Sequence, residues 1–372
     1  MDSILLTELD KRIRTSPDSV SWARDVLRAA SHFARQGQVD VALKWMDSVK
    51  QHFGNRIDPE VACWLMLAEG MLQYFQLRWQ DAHDRFRGAY GTAVTFAAAR
   101  ARPCCAAWMS HIEFNEGRYD SMIRFIGEAW STAAPDDHQT RARAALVMAC
   151  AQHYASSFKQ ARSWYERTRW HATAEGDGAT MSSLMHNMAA FRTASVCMSD
   201  AFGSASPAET QQALMEASSA ASYDLATGSA SYHRATIPLI RAQLLGVQGK
   251  FDDALVILTT IDAQRLPPRQ RLIIAIERAR CLAKLDLREH VDQFVQEATG
   301  PEQARLEDDD AAYVYARLAE IEALTDRRYV DDSLSRANAA MRRHREVQTA
   351  LEGQLIELES RLHLPPLAKA ED

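Results

Sequence analysis

Residues Gly249 to Ile261 read G-K-F-D-D-A-L-V-I-L-T-T-I. A helical pattern ends at Gly249, an aromatic follows at Phe251, and the small residue Ala254 comes three positions later. Leu258 and Ile261 fall four and seven positions beyond it, on one face of the next helix. The same arrangement lies upstream. Gly37 leads to Ala42, Met46 and Val49; Leu77 leads to Ala82, Phe86 and Ala89. Gly117 and Tyr119 lead to Met122, Ile126 and Ala129; Phe158 leads to Ala161, Tyr165 and Thr168. The anchors 42, 82, 122 and 161 lie 40, 40 and 39 residues apart. Ala30, Gly70, Ser110 and Ala149 keep the same spacing in the preceding helices, and Ala242 holds that place before Ala254. Two independent positions sharing one period mark an internal repeat of helix pairs.

The pattern resembles the tetratricopeptide repeat (TPR) over roughly residues 18 to 300. That resemblance implies an all-α fold: a right-handed α-α superhelix of helix pairs, in which a small residue lets two antiparallel helices approach and larger ones fill the gap. The family's usual period is about 34 residues. The period of about 40 is closer to the TPR-like superhelices of bacterial regulators, such as the MalT-type and Rap-type sensor regions. Met122 replaces the small anchor, which implies wider packing there. Residues 170–230 keep poor phase, although helices are expected over 178–199 and 207–225. A degenerate pair over 268–285 and 287–298 has Leu285 and His290 where Gly and Ala would stand. Pro17, Pro59, Pro103, Pro207 and Pro268 sit near expected helix starts, where a missing N–H costs nothing. No alternating strand of four or more residues is visible. All eight Trp lie between Trp22 and Trp170, which reads as bulky interhelix packing in the first four pairs.

The expected organisation is a repeat domain over 1–300, a terminal repeat helix over 301–327, a long helix over 328–364 and a disordered tail over 365–372. In the long helix Leu334, Ala337, Met341, His344, Gln348, Leu351, Leu355, Leu358 and Leu362 alternate in steps of three and four, a heptad seam. An isolated helix of this length is marginal in water, so the seam needs a partner. It can pair with a second copy or fold back over the last repeat. A homodimer through Met341, Gln348, Leu351, Leu355, Leu358 and Leu362 is the expectation carried forward. The arrangement resembles the sensory half of bacterial TPR diguanylate cyclases without the cyclase, since no G-G-D-E-F-like loop occurs.

Composition narrows the function. With 15 Gly and 11 Pro in 372 residues, the chain is not one built from many tight turns or Gly-rich phosphate loops. A formal net charge of −6 leaves no basic footprint for nucleic acid or anionic lipid. The start, M-D-S-I-L-L-T-E-L-D, lacks a secretory pattern, and no window reaches the roughly 18 apolar residues of a membrane span. Cys63, Cys104, Cys105, Cys150, Cys197 and Cys281 form no C-x-x-C pair and read as buried thiols of a reducing compartment. A cytoplasmic protein is expected.

Chemistry-bearing motifs are sparse. Gly246-Val-Gln-Gly249-Lys250 is too short for a phosphate loop, and Gly176-Asp-Gly178 lacks a preceding strand. The 12 His are dispersed, so no zinc site is expected. Glu307-Asp308-Asp309-Asp310 lacks the alternating ligands of a calcium loop and suits a helix N-terminus. Ser156-Ser-Phe-Lys159 matches S-x-x-K but falls in a repeat turn. Neither catalytic residues nor a cofactor are expected.

In TPR superhelices the first helix of each pair lines the concave face. Phase from the anchors then places Trp64, Met71, Tyr74, His111, Asn115, Arg143 and His153 in a groove, with Asn187, Arg192, Arg241 and Gln243 continuing it. Aromatics mixed with Asn, His and Arg suit a peptide, whose carboxylates Arg can fork. The leading expectation is a non-enzymatic regulatory scaffold for a protein or peptide partner in bacterial signalling. A Rap-like regulator of a response regulator, or a structural subunit of a larger assembly, is the alternative.

Overall fold

Six short turns, centred on Gly37, Leu77, Gly117, Ser156, Gly249 and Asp286, share one geometry in the computed structural model. Each central residue is left-handed, with φ between 56° and 78°. The following N–H reaches five residues back to a carbonyl at 2.8–2.9 Å, as in Lys250 to Leu245 and Ser157 to Gln152. This closure satisfies carbonyls that a helix end would leave bare and sends the chain into a second helix. The sequence marks the turn by Gly at three of the six places.

The structure describes residues 3–16, 18–227, 232–300, 306–325, 329–362 and 364; the tail expected over 365–372 lies outside them. The described residues form α-helices with two short 3-10 turns and no strand. The first nine helices are α1 (Ile4–Arg14), α2 (Ser19–Arg35), α3 (Val39–Phe53), α4 (Pro59–Phe75), α5 (Trp79–Thr95), α6 (Arg102–Asn115), α7 (Tyr119–Thr132), α8 (His138–Tyr154) and α9 (Phe158–Glu175). They are followed by α10 (Gly178–Ala201), α11 (Pro207–Thr227), α12 (Tyr232–Val247), α13 (Phe251–Thr260), α14 (Pro268–Lys284), α15 (Val291–Ala298), α16 (Asp308–Leu324) and α17 (Val330–Arg361). No described helix is long and apolar enough to cross a membrane.

Two compact units result. The first comprises residues 1–184, 224–232 and 350–372. In it α2 packs on α3, α4 on α5, α6 on α7 and α8 on α9. The second helices of these pairs start at Val39, Trp79, Tyr119 and Phe158. Ala30, Gly70, Ser110 and Ala149 are buried, as are Ala42, Ala82, Met122 and Ala161. Gly70 shows why a small side chain is required: a Cβ there would lie 2.8 Å from the Phe86 ring. That ring is itself stacked on Trp108 at 5.1 Å. The helix α1 closes one end through Leu5 and Leu9 against Ala29 and Phe33.

The second unit comprises residues 185–223 and 233–349. Residues 185–201 of α10 and 207–223 of α11 build a core with α12 around Ala189, Val196, Ala213, Ala217, Ile240 and Leu244. The poor phase of residues 170–230 reflects helix length, since α10 and α11 run to 24 and 21 residues, while left-handed turns with the same five-residue bond recur at Gly176 and Gly203. A half-buried proline, rather than a chain break, is accommodated inside α12 at Pro238. The degenerate pair is present as α14 and α15, with a 3-10 turn at Arg288–His290 where the anchor is missing. The acidic run opens α16, where Asp310 accepts from Arg269 and Asp308 from Arg343 (both 2.8 Å), so these acids also tie elements together.

Candidate functional site

The first helices of the pairs in the first unit bring polar side chains together. On α4 the Tyr74 hydroxyl meets His111 Nε2 of α6 at 2.9 Å and accepts from Asn115 Nδ2 at 3.1 Å. The Tyr74 ring also stands edge-on to Trp79 and His111. One turn away, Trp108 carries the Arg143 guanidinium of α8 over its face, 4.1 Å from the ring centre. Helical spacing explains the cluster: 104, 108, 111 and 115 share one face of α6.

Beside Arg143 lies a cavity of about 20 Å³, lined by Leu5, Met71, Trp108 and Gln139 and by a set of charged groups. These charged groups come from α2, from Glu175 at the end of α9 and from the turn that opens α10. Arg35 donates to Asp177 at 2.8 Å and to Thr180 at 2.7 Å. Arg28 donates to Glu175. His32 is 2% exposed, with its Nδ1 3.6 Å from Asp177. Asp177 also caps α10, accepting from Thr180 N at 3.0 Å. Glu175 and Asp177 are thus taken by Arg28 and Arg35. Arg143 is 6% exposed, and among the described residues it has neither a hydrogen bond nor an ion pair.

The electrostatics follow from this geometry. Burial, and then the neighbouring Arg35, lower the Arg143 pKa to about 10. Desolvation, followed by repulsion from Arg143 and Arg35, holds His111 well below the ordinary histidine value, so its ring is neutral at pH 7 and can accept from Tyr74. Burial alone would push Asp177 up, yet Arg35, His32 and Thr180 hold it well below the usual carboxylate range. The site therefore keeps Asp177 ionised and leaves the Arg143 cation without an ion-pair partner among the described residues.

Of the residues expected in the groove, Met71, Tyr74, His111, Asn115 and Arg143 come together here. Trp64 is buried and donates to Glu60 of its own helix at 3.0 Å. His153 is buried beside Phe158 and Tyr165 in the α8–α9 packing. Both therefore face helix neighbours instead of a groove. Asn187, Arg192, Arg241 and Gln243 belong to the second unit, where Arg192 pairs with Glu216 at 2.8 Å and Arg241 is exposed.

The heptad seam is covered within the chain. Leu351, Leu355 and Leu358 are buried in the first unit, with a Leu358 methyl 3.3 Å from where a Cβ on Gly127 would stand. Gln152 and Trp164 donate to Glu359, Ser157 donates to Glu352 at 2.6 Å, and Gln354 donates to Asp120 at 2.6 Å. In the second unit Ala337, Ala340 and Met341 are buried, and Met341 packs on Ala312. Gln348 and Leu362 are half-buried and Leu334 is exposed. A parallel homodimer on Leu351, Leu355 and Leu358 would require α17 to leave α7–α9.

Phase reading missed Arg28, His32, Arg35, Glu175, Asp177 and Thr180. A usable signal was present in α2. Asp25, Arg28, His32 and Arg35 recur in steps of three, four and three, which puts a charged stripe on one helix face. No such signal marks Asp177, which chain folding brings to Arg35 from 142 residues away. Among the described residues no cluster of His, Cys, Asp or Glu is arranged to hold a metal. No protein-family model matches the chain, and no curated protein is similar to it in sequence.

Proposed function

We propose that the chain is a non-enzymatic, cytoplasmic TPR-like scaffold of bacterial regulatory type, whose helix pairs wind as a right-handed superhelix and bind a protein or peptide partner on the concave side. The recurring left-handed turn and the small-against-large crossings support the TPR-like reading. The observation that carries the binding reading is the convergence of Tyr74, His111 and Asn115 from the first helices of two consecutive pairs. A hydroxyl, an imidazole and an amide beside aromatic faces can satisfy a peptide backbone while offering apolar contact. Asn115 is exposed and so accessible to a partner.

The test is a displayed peptide library panned on the full chain and on a Tyr74→Phe/Asn115→Ala variant. Enriched peptides should lose at least about tenfold in affinity for the variant, the scale of one or two hydrogen bonds. Peptides that bind both proteins equally, or a library that never enriches, would sink the reading.

A further inference from the structure

We infer that the cavity between α2, α4, α6 and α8 is a binding site for a small organic monocarboxylate, with Arg143 as the residue that forks its carboxylate. The inference goes beyond the proposed partner groove and stands whether or not a partner binds there.

The argument begins with charge. Three guanidiniums, Arg28, Arg35 and Arg143, line the cavity, and two carboxylates, Glu175 and Asp177, face them. Each carboxylate is held by one arginine, Glu175 by Arg28 and Asp177 by Arg35. The third cation, Arg143, is nearly enclosed and rests only on the Trp108 ring. A buried cation without an acid is costly, and proteins pair such groups or use them to hold an anion. One uncompensated charge calls for a monoanion; a phosphate dianion would reverse the imbalance.

Shape adds to charge. The planar Arg143 guanidinium, with its carbon 4.1 Å from the Trp108 ring centre, holds its N–H donors in one plane, which suits the two coplanar oxygens of a carboxylate. The enclosed volume of about 20 Å³ is close to what one water needs, so it takes only the carboxylate end of a ligand, whose remainder lies at the cavity mouth. Leu5 and Met71 supply apolar wall for a short alkyl tail, and Gln139 and Ser31 add neutral polar groups. The unused Nε donors of Arg28 and Arg35 and the Nε2 of His32 leave further polar capacity in the same lining. The depressed Arg143 pKa agrees with a desolvated cation awaiting a counter-charge.

Calorimetry on the full chain tests this with acetate, propionate and butyrate at fixed ionic strength, against chloride and inorganic phosphate. A saturable one-to-one heat is expected for at least one carboxylate, with a concentration-dependent rise in Tm. Arg143→Gln should abolish both while leaving the Tm without ligand unchanged or higher. Arg143→Lys keeps the charge but loses the fork, so affinity should fall at least about tenfold. Arg162→Gln, at an exposed position, should bind as the parent does. The inference fails if chloride or phosphate matches the carboxylates, or if Arg143→Gln responds as the parent does. It fails equally if the parent binds none of the carboxylates, or if a peptide ending in a free carboxylate binds through Arg143 while small carboxylates do not.

Discussion

Each unit buries a cluster of arginines, and the two clusters are balanced differently. In the second unit Arg317 is 1% exposed and donates to Asp200 at 2.6 Å, to Glu320 at 3.0 Å and to the Cys197 carbonyl at 3.3 Å. Arg280 shares the same two acids, Lys284 adds a bridge to Glu320, and Tyr313 donates to Glu277. Three cations meet three acids, and the cluster ties α10, α14 and α16 together. In the first unit three arginines and two acids line a cavity, and Arg28 also lies 3.8 Å from Asp25, an acid it shares with Arg12 and Arg24. The same residue type is a structural tie in one place and an open recognition group in the other, and only counting partners tells them apart.

The largest effect should come from breaking the balanced cluster. Arg317→Met leaves Asp200 and Glu277 with fewer counter-charges in a closed interior and should cost about 3–5 kcal/mol. Arg143→Met should stay within about 1 kcal/mol of the parent, because the methionine stem can still pack on Trp108. Urea unfolding can report the units separately, since all eight Trp lie within residues 22–170 of the first unit. Far-UV circular dichroism of Arg317→Met should therefore fall at lower urea than tryptophan fluorescence. Equal losses for the two variants would erase the contrast.

Acid should strain both units and so show what they share. Burial, with His138 and two arginines nearby, lowers the His171 pKa to about 3; burial lowers that of His186 to about 4. Both rings are neutral when folded. The unfolded chain takes up protons below about pH 6.5 and the folded chain does not, so stability present above that pH is lost as pH falls. From pH 7 to pH 5, above most carboxylate titration, each ring should cost about 2 kcal/mol. His171→Gln should flatten the fluorescence-monitored curve over that window, and His186→Gln the dichroism-monitored one. A flat parent curve would refute both.

The helix pairs were legible because packing leaves a periodic trace: a position that must be small, like Gly70, faces one that must be large, like Phe86. The stripe along α17 was legible for the same reason, but its occupant was not. A heptad face reads alike whether it meets a second copy or the chain's own α7–α9, and nothing local to Leu351 or Leu355 distinguishes them. The site divides along the same line. Met71, Tyr74, His111, Asn115 and Arg143 follow from helical phase. Asp177 does not, because its role depends on how Arg35 is brought to it. Trp64 and His153 had the right phase, but bond or pack within their own helix pair.

Helix glycines offer a smaller test of the contrast between the units. A Cβ on Gly70 would meet a Phe86 ring pinned by Trp108, which cannot withdraw. Gly70→Ala should cost about 2 kcal/mol, as overpacking does, and Phe86→Leu in the same chain should recover part of it. A Cβ on Gly246 would lie 3.1 Å from an Arg280 Nη1, the tip of a long side chain. Gly246→Ala should stay within about 1 kcal/mol, with gained helix propensity offsetting the crowding. A larger loss there would mean that Arg280 is held too firmly by its acids to yield.

The smallest effects belong to the shared turn, where the units should behave alike. Ser156 in the first unit has φ 62° and Gly249 in the second has φ 76° at the same place in the turn. A left-handed backbone costs an L-residue with a Cβ about 1 kcal/mol, and glycine avoids that cost while gaining entropy in the unfolded chain. Ser156→Gly should thus stabilise the first unit by about 0.5 kcal/mol, and Gly249→Ala should destabilise the second by about 1 kcal/mol. The space around Gly249 is open, so backbone conformation alone sets the second value. If the two substitutions shift their midpoints in the same direction, the turns are equivalent in hydrogen bonding but not in strain, and the repeat seen in geometry does not extend to energetics.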